Sequence, residues 1–163
     1  MFDILKHDIS ISKRELRLHR AMLTEDKNKF ELLEKLDKEL KSKLGSEETR
    51  KSIRELITLV SEERTKLQQA IKGLQKEIKN ERKNLIKVAE KFDKREIRLD
   101  KKIKSDLKFE LKELKKIEKD VKNFPKLEGI IKDLIELVKK ELKQDKLAIR
   151  FDFKLLKDLK KQE

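Results

Sequence analysis

Cysteine is absent from this 163-residue chain, which excludes a disulfide framework and any thiolate metal site. Trp and Tyr are absent as well, so there is no set of aromatic platforms on which successive nucleic-acid bases could stack. Pro occurs once and Gly three times, too little punctuation for sheets and loops. No run approaches the roughly 18 apolar residues of a membrane span, and the start, MFDILKHDISIS, lacks the basic and long apolar regions of a signal peptide. Together these absences predict an all-α protein of a reducing compartment, cytoplasmic or peripheral on a membrane.

What is present is charge and helical periodicity. There are 46 Lys and Arg against 33 Asp and Glu, a formal net charge of +13, which implies attraction to polyanions. Two places carry stop signals. At Leu44–Thr49, Gly45 suits a left-handed helix end and Ser46 a new N-cap followed by Glu47 and Glu48. At Asn123-Phe124-Pro125, Pro disfavours helix in the residue before it and suits the first turn of the next.

Between these turns, apolar residues recur in steps of three and four: Ile53, Ile57, Val60, Leu67, Ile71, Leu74, Ile78, Leu85, Val88 and Phe92, interrupted at Arg64 and Glu81. The seam resumes as Leu99, Ile103, Leu107, Leu111, Leu114, Ile117 and Val121. Its successive four-residue steps from Leu99 to Leu111 resemble a stutter. The expected architecture is a single domain, an elongated antiparallel helical bundle or coiled coil. Helix 1 spans about 12–44, or begins at Phe2; a long central helix spans about 46–123, continuous or kinked; helix 3 spans about 125–161. The alternative is a compact four-helix bundle with a hidden turn at Lys79–Asn84 or Asp100–Asp106. If the central helix is continuous, each half has one partner helix, and an antiparallel homodimer would complete four. Ile149–Leu155 alternates like a strand and could pair with Ile9–Ser12, although a two-stranded ribbon is marginal alone.

The most specific feature is a basic row on the central helix: Lys87, Lys91, Lys94, Arg98, Lys101, Lys108, Lys112, Lys115, Lys119 and Lys122. Helix 3 repeats it with Lys139, Lys143, Lys146, Arg150, Lys154, Lys157 and Lys161. Like charges four apart on a helix repel by about 0.2–0.5 kcal/mol per pair, so these rows predict a polyanion-binding face; the bland reading is a solvated one. With the turns at Gly45 and Pro125, the long middle helix and its Lys row, the chain resembles BAR-domain and ESCRT-III-type helical scaffolds. That resemblance implies a non-enzymatic scaffold on acidic membrane lipid. A wedge of Phe2, Ile4, Leu5, Ile9 and Ile11 is conceivable, but Asp3 and Asp8 favour packing instead.

Non-specific binding to nucleic-acid phosphates is the alternative, because Lys outnumbers Arg and acts as a point charge. An oligomerising coiled-coil spacer is the third reading. His7 and His19 are the only imidazoles. Glu15 and His19 lie one turn apart and read as a surface pair, while carboxylates look scattered among Lys. The expectation is therefore no enzyme, cofactor, metal site or small-molecule substrate.

Overall fold

The apolar spacing produces four long helices. The computed structural model describes residues 2–41, 47–82 and 86–161, arranged as α1 (Phe2–Lys41), α2 (Glu47–Arg82), α3 (Ile86–Asp120) and α4 (Pro125–Lys160). At 1.5 Å per residue they are roughly 50–60 Å long, so the all-α bundle is elongated. α1 and α3 each pack against both α2 and α4. Cross-helix pairs show that neighbours run antiparallel: Asp37 with Arg50 and Lys29 with Glu63 between α1 and α2, Lys66 with Asp106 between α2 and α3, and Glu39 with Lys126 and Glu25 with Lys140 between α1 and α4.

The continuous central helix is corrected: residues 46–123 yield two antiparallel helices, and the compact four-helix alternative holds. The connection at 83–85 lies outside the described residues and overlaps the hidden-turn candidate Lys79–Asn84. Unbroken apolar phase could not distinguish the two architectures, because two antiparallel helices of one bundle use the same three-and-four spacing as one long helix. One chain thus supplies four helices throughout, and a second copy is not needed to complete them.

The reversal at Pro125 is as expected. Phe124 is extended (φ −122°, ψ 91°) and Pro125 opens α4, where its missing N–H costs no helix hydrogen bond. The Gly45–Ser46 turn lies within residues 42–46, outside the described residues, although α1 and α2 do fold back on each other. The strand reading is overturned. Ile149–Leu155 lies inside α4, Ile9–Ser12 inside α1, and no strand occurs among the described residues. Asp152 is buried while Phe153 is exposed, so helical burial sets the faces of this segment and its alternation of residue types is coincidental.

The core changes character along its length. Near the Pro125 turn it is apolar, with Leu36, Leu40, Ile53, Leu56, Leu114, Ile117, Leu127 and Leu134 within 2% of full burial. Side chains of this kind contribute about 1.5–3 kcal/mol each when removed from water. Towards the other end the same inward positions become acidic. On α4 the buried series Leu134, Val138, Glu141, Asp145, Ala148, Asp152 and Leu155 keeps its spacing while the chemistry changes.

Candidate metal centre

Fourteen carboxyl side chains are buried among the described residues, accompanied inside only by His19 and Lys29 as basic groups. An isolated buried carboxylate loses hydration worth several kcal/mol, so each must be protonated, paired or bound to a cation. Two clusters stand out.

The first joins α1 to α3. Glu15 and His19 lie one turn apart on α1, Glu96 and Asp100 one turn apart on α3, and all four are fully buried. One ligand atom from each lies within 4.8 Å of the others. His19 Nδ1 donates to the Glu15 backbone carbonyl at 2.9 Å, and Nε2 meets Asp100 Oδ1 at 2.6 Å. The first contact fixes the ring and leaves Nε2 as the atom that can take either a proton or a metal ion.

No N–H or hydroxyl donor reaches either oxygen of Glu15 or Glu96, or Asp100 Oδ2. The acids of α4 form a further layer: Asp152 reaches Glu15 and Asp100, and Asp145 reaches Asp100. Gly73 of α2 makes room for this arrangement, since a Cβ there would collide with Glu96 Oε1. Gly73, set inside α2, is therefore explained by close approach.

Titration in this cluster follows burial and charge crowding. Burial pushes Glu15 up to about 8, with Asp100 and Asp93 adding repulsion. It pushes Glu96 up to about 9 against the opposing pull of His19. Burial and the neighbouring Asp100 raise Asp145 to about 9. Burial opposes charge on His19, but Asp100, Glu15 and Glu96 outweigh it and raise the imidazole to about 10. Asp100 alone is lowered, because His19 overcomes its burial.

The second cluster is built around Lys29. Its Nζ lies 3.0 Å from Asp26, 3.1 Å from Glu63, 2.8 Å from Glu110 and 2.8 Å from Glu141, one carboxylate from each helix. Burial opposes the ammonium charge, yet these four neighbours raise its pKa well above the ordinary value. Burial also raises Glu63 and Glu141, with mutual repulsion among the acids adding to it.

The expected surface pair Glu15–His19 is thus corrected to a buried one, and the supposedly scattered carboxylates are gathered in the core. The sequence held the signal: Asp93, Glu96, Asp100, Ile103, Leu107, Glu110, Leu114 and Ile117 of α3 keep core spacing and are all buried. Leu99 and Leu111, which suggested a stutter, flank this series and are only half-buried. The same displacement explains Arg64. The core residue there is Glu63, while Arg64 lies 5.9 Å from the Phe30 ring.

All seventeen basic positions singled out from the sequence are exposed. On α3, Lys101 lies 5.5 Å from the Phe153 ring of α4. The charge of Lys154 reaches Asp8 of α1. Withdrawing fourteen of 33 acids and one of 46 basic residues into the core leaves 19 against 45 for the rest of the chain, a formal +26. No helix among the described residues is long and apolar enough to cross a membrane. The chain matches no protein-family model, no curated protein and no solved structure.

Proposed function

We propose that this protein is a metal-binding four-helix bundle, with one divalent transition-metal ion held by Glu15, His19, Glu96 and Asp100. The observation that carries this reading is Glu96, fully buried beside His19 and Asp100 with no donor to either oxygen. One imidazole and three carboxylates suit Zn(II), Mn(II), Fe(II) or Co(II), whereas Ca(II) and Mg(II) favour oxygen alone. Bundle cores are a recurrent place for such sites, because facing helices present inward ligands at fixed spacing. The ion would neutralise charge that the core otherwise carries only by taking up protons, so binding couples to stability and to proton release. Equilibrium dialysis against Mn(II), Co(II) and Zn(II) tests this: one ion per chain is expected, with loss in His19→Ala and in Glu96→Gln. Equal binding by both variants and the wild type would sink the proposal.

A second reading concerns the exterior and is compatible with the first. The exposed α3 and α4 rows, on a chain whose residues outside the buried set carry a formal +26, support attachment to an anionic surface. Acidic lipid is favoured over nucleic-acid phosphate by Phe109 and Phe153, about half exposed near the rows and suited to shallow insertion between headgroups. The test is co-sedimentation with anionic and neutral vesicles across a salt series, with duplex DNA as competitor. Displacement by DNA would move the reading to nucleic acid, and no binding to either would leave a protein-interaction spacer.

A further inference from the structure

The Lys29 cluster has the form of a cation site already filled from within. Asp26, Glu63, Glu110 and Glu141 come one from each helix, all are buried, and their oxygens surround Lys29 Nζ at 2.8–3.1 Å. Ligand atoms of Asp26, Glu63 and Glu141 already lie within 4.8 Å of one another. A metal ion binds carboxylate oxygen at about 2.0–2.6 Å, so exchanging the ammonium for an ion requires each oxygen to move inward by roughly 0.2–1.1 Å.

The ammonium fills this place incompletely. It has three N–H groups for four carboxylates, and only Glu63 Oε2 and Glu110 Oε1 receive its hydrogen bonds in good geometry. Asp26 and Glu141 lie 3.0 and 2.8 Å from Nζ as ion pairs, without a hydrogen bond of good geometry to either. One positive charge faces four carboxyl groups, a mismatch that a divalent ion would reduce. Lysine also occupies space: Lys29 ranks first by volume among the fully buried side chains, so its four-carbon stem and head fill the volume an ion and its waters would need.

We propose that Lys29 is the tethered occupant of a second cation site formed by Asp26, Glu63, Glu110 and Glu141, and that it limits the bundle to one metal ion. The count of one rests on the reading of the Glu15–His19–Glu96–Asp100 cluster, but the role of Lys29 is read from a difference and does not depend on it.

The experiment counts bound Mn(II) and Co(II) by dialysis and elemental analysis in four full-length proteins: wild type, Lys29→Ala, Glu96→Gln and the double variant K29A/E96Q. The expected stoichiometries are one, two, none and one. Zero for the wild type with one for Lys29→Ala would discard the first site and keep the second. Two ions in the wild type, or no gain on removing Lys29 in either background, would overturn the proposal.

Removing the ammonium leaves four carboxylates without their cation, so Lys29→Ala is expected to lose helical circular dichroism in chelator and to regain it with Mn(II). Failure of the metal to restore helicity also counts against the proposal.

Discussion

Replacing Glu96 by Gln should raise the stability of the metal-free protein while abolishing tight metal binding. Glu96 is fully buried, neither oxygen has a donor, and burial pushes its carboxyl up to about 9. The folded state must therefore hold a proton there that the unfolded chain, with an ordinary value of 4.5, releases. A carboxyl whose folded pKa is raised contributes fully below the unfolded value, and that contribution is lost as pH rises through the folded one. At pH 7 the loss is on the order of 3 kcal/mol, from two to three pH units at roughly 1.4 kcal/mol each.

Gln has no proton to hold and can donate to the neighbouring carboxylates. The variant should therefore gain up to about 3 kcal/mol at pH 7, roughly 6–12 °C for a chain of this size, and the gain should fade towards pH 4.5. Urea unfolding followed by circular dichroism in chelator, from pH 4.5 to 8, measures it. A variant less stable than wild type at pH 7, or a gain that does not vary with pH, would refute the reasoning.

Other consequences follow from the same core. In chelator, the wild type should lose stability steadily from pH 5 to 9, because Glu15, Glu96 and Asp145 are raised to about 8 to 9 and each removes on the order of 1 kcal/mol per pH unit; thermal melts would show a falling Tm, and a flat profile would contradict it. Gly73→Ala ordinarily gains about 1 kcal/mol in a helix. Here the added Cβ meets Glu96 Oε1, so we expect no gain and at least a tenfold loss of metal affinity by titration calorimetry. In the apolar half, Leu56→Ala should cost about 2–5 kcal/mol, since Leu56 is 1% exposed, and should leave the ion count of the folded protein unchanged.

The helical class and much of the apolar seam were legible in the sequence, with Ile53, Val60, Leu67, Leu74, Ile103 and Leu107 all buried; the acidic part of the core was not, for one physical reason. The seam was sought in apolar residues, and at Glu63, Asp93, Glu96, Asp100, Glu141, Asp145 and Asp152 the inward positions are acidic. The apolar pattern consequently slid onto flanking residues such as Leu99 and Leu111, producing an apparent stutter. Acids at core spacing are indistinguishable from surface acids until the helices are docked, and docking required the reversal between Arg82 and Ile86, which neither Gly nor Pro marks. The Lys rows were readable because an exposed helical face needs only its own spacing. His19 was read as half of a local pair because its partner Asp100 lies 81 residues away.

The most direct test of the account is a Co(II) titration of the wild-type protein followed by visible absorption and by the proton release that accompanies binding. The account predicts saturation at one ion per chain, d–d bands characteristic of mixed nitrogen and oxygen ligation, release of protons at pH 7, and loss of all three in His19→Ala. No saturable binding, or a signal unchanged by His19→Ala, would show that the buried carboxylates carry protons rather than a metal ion.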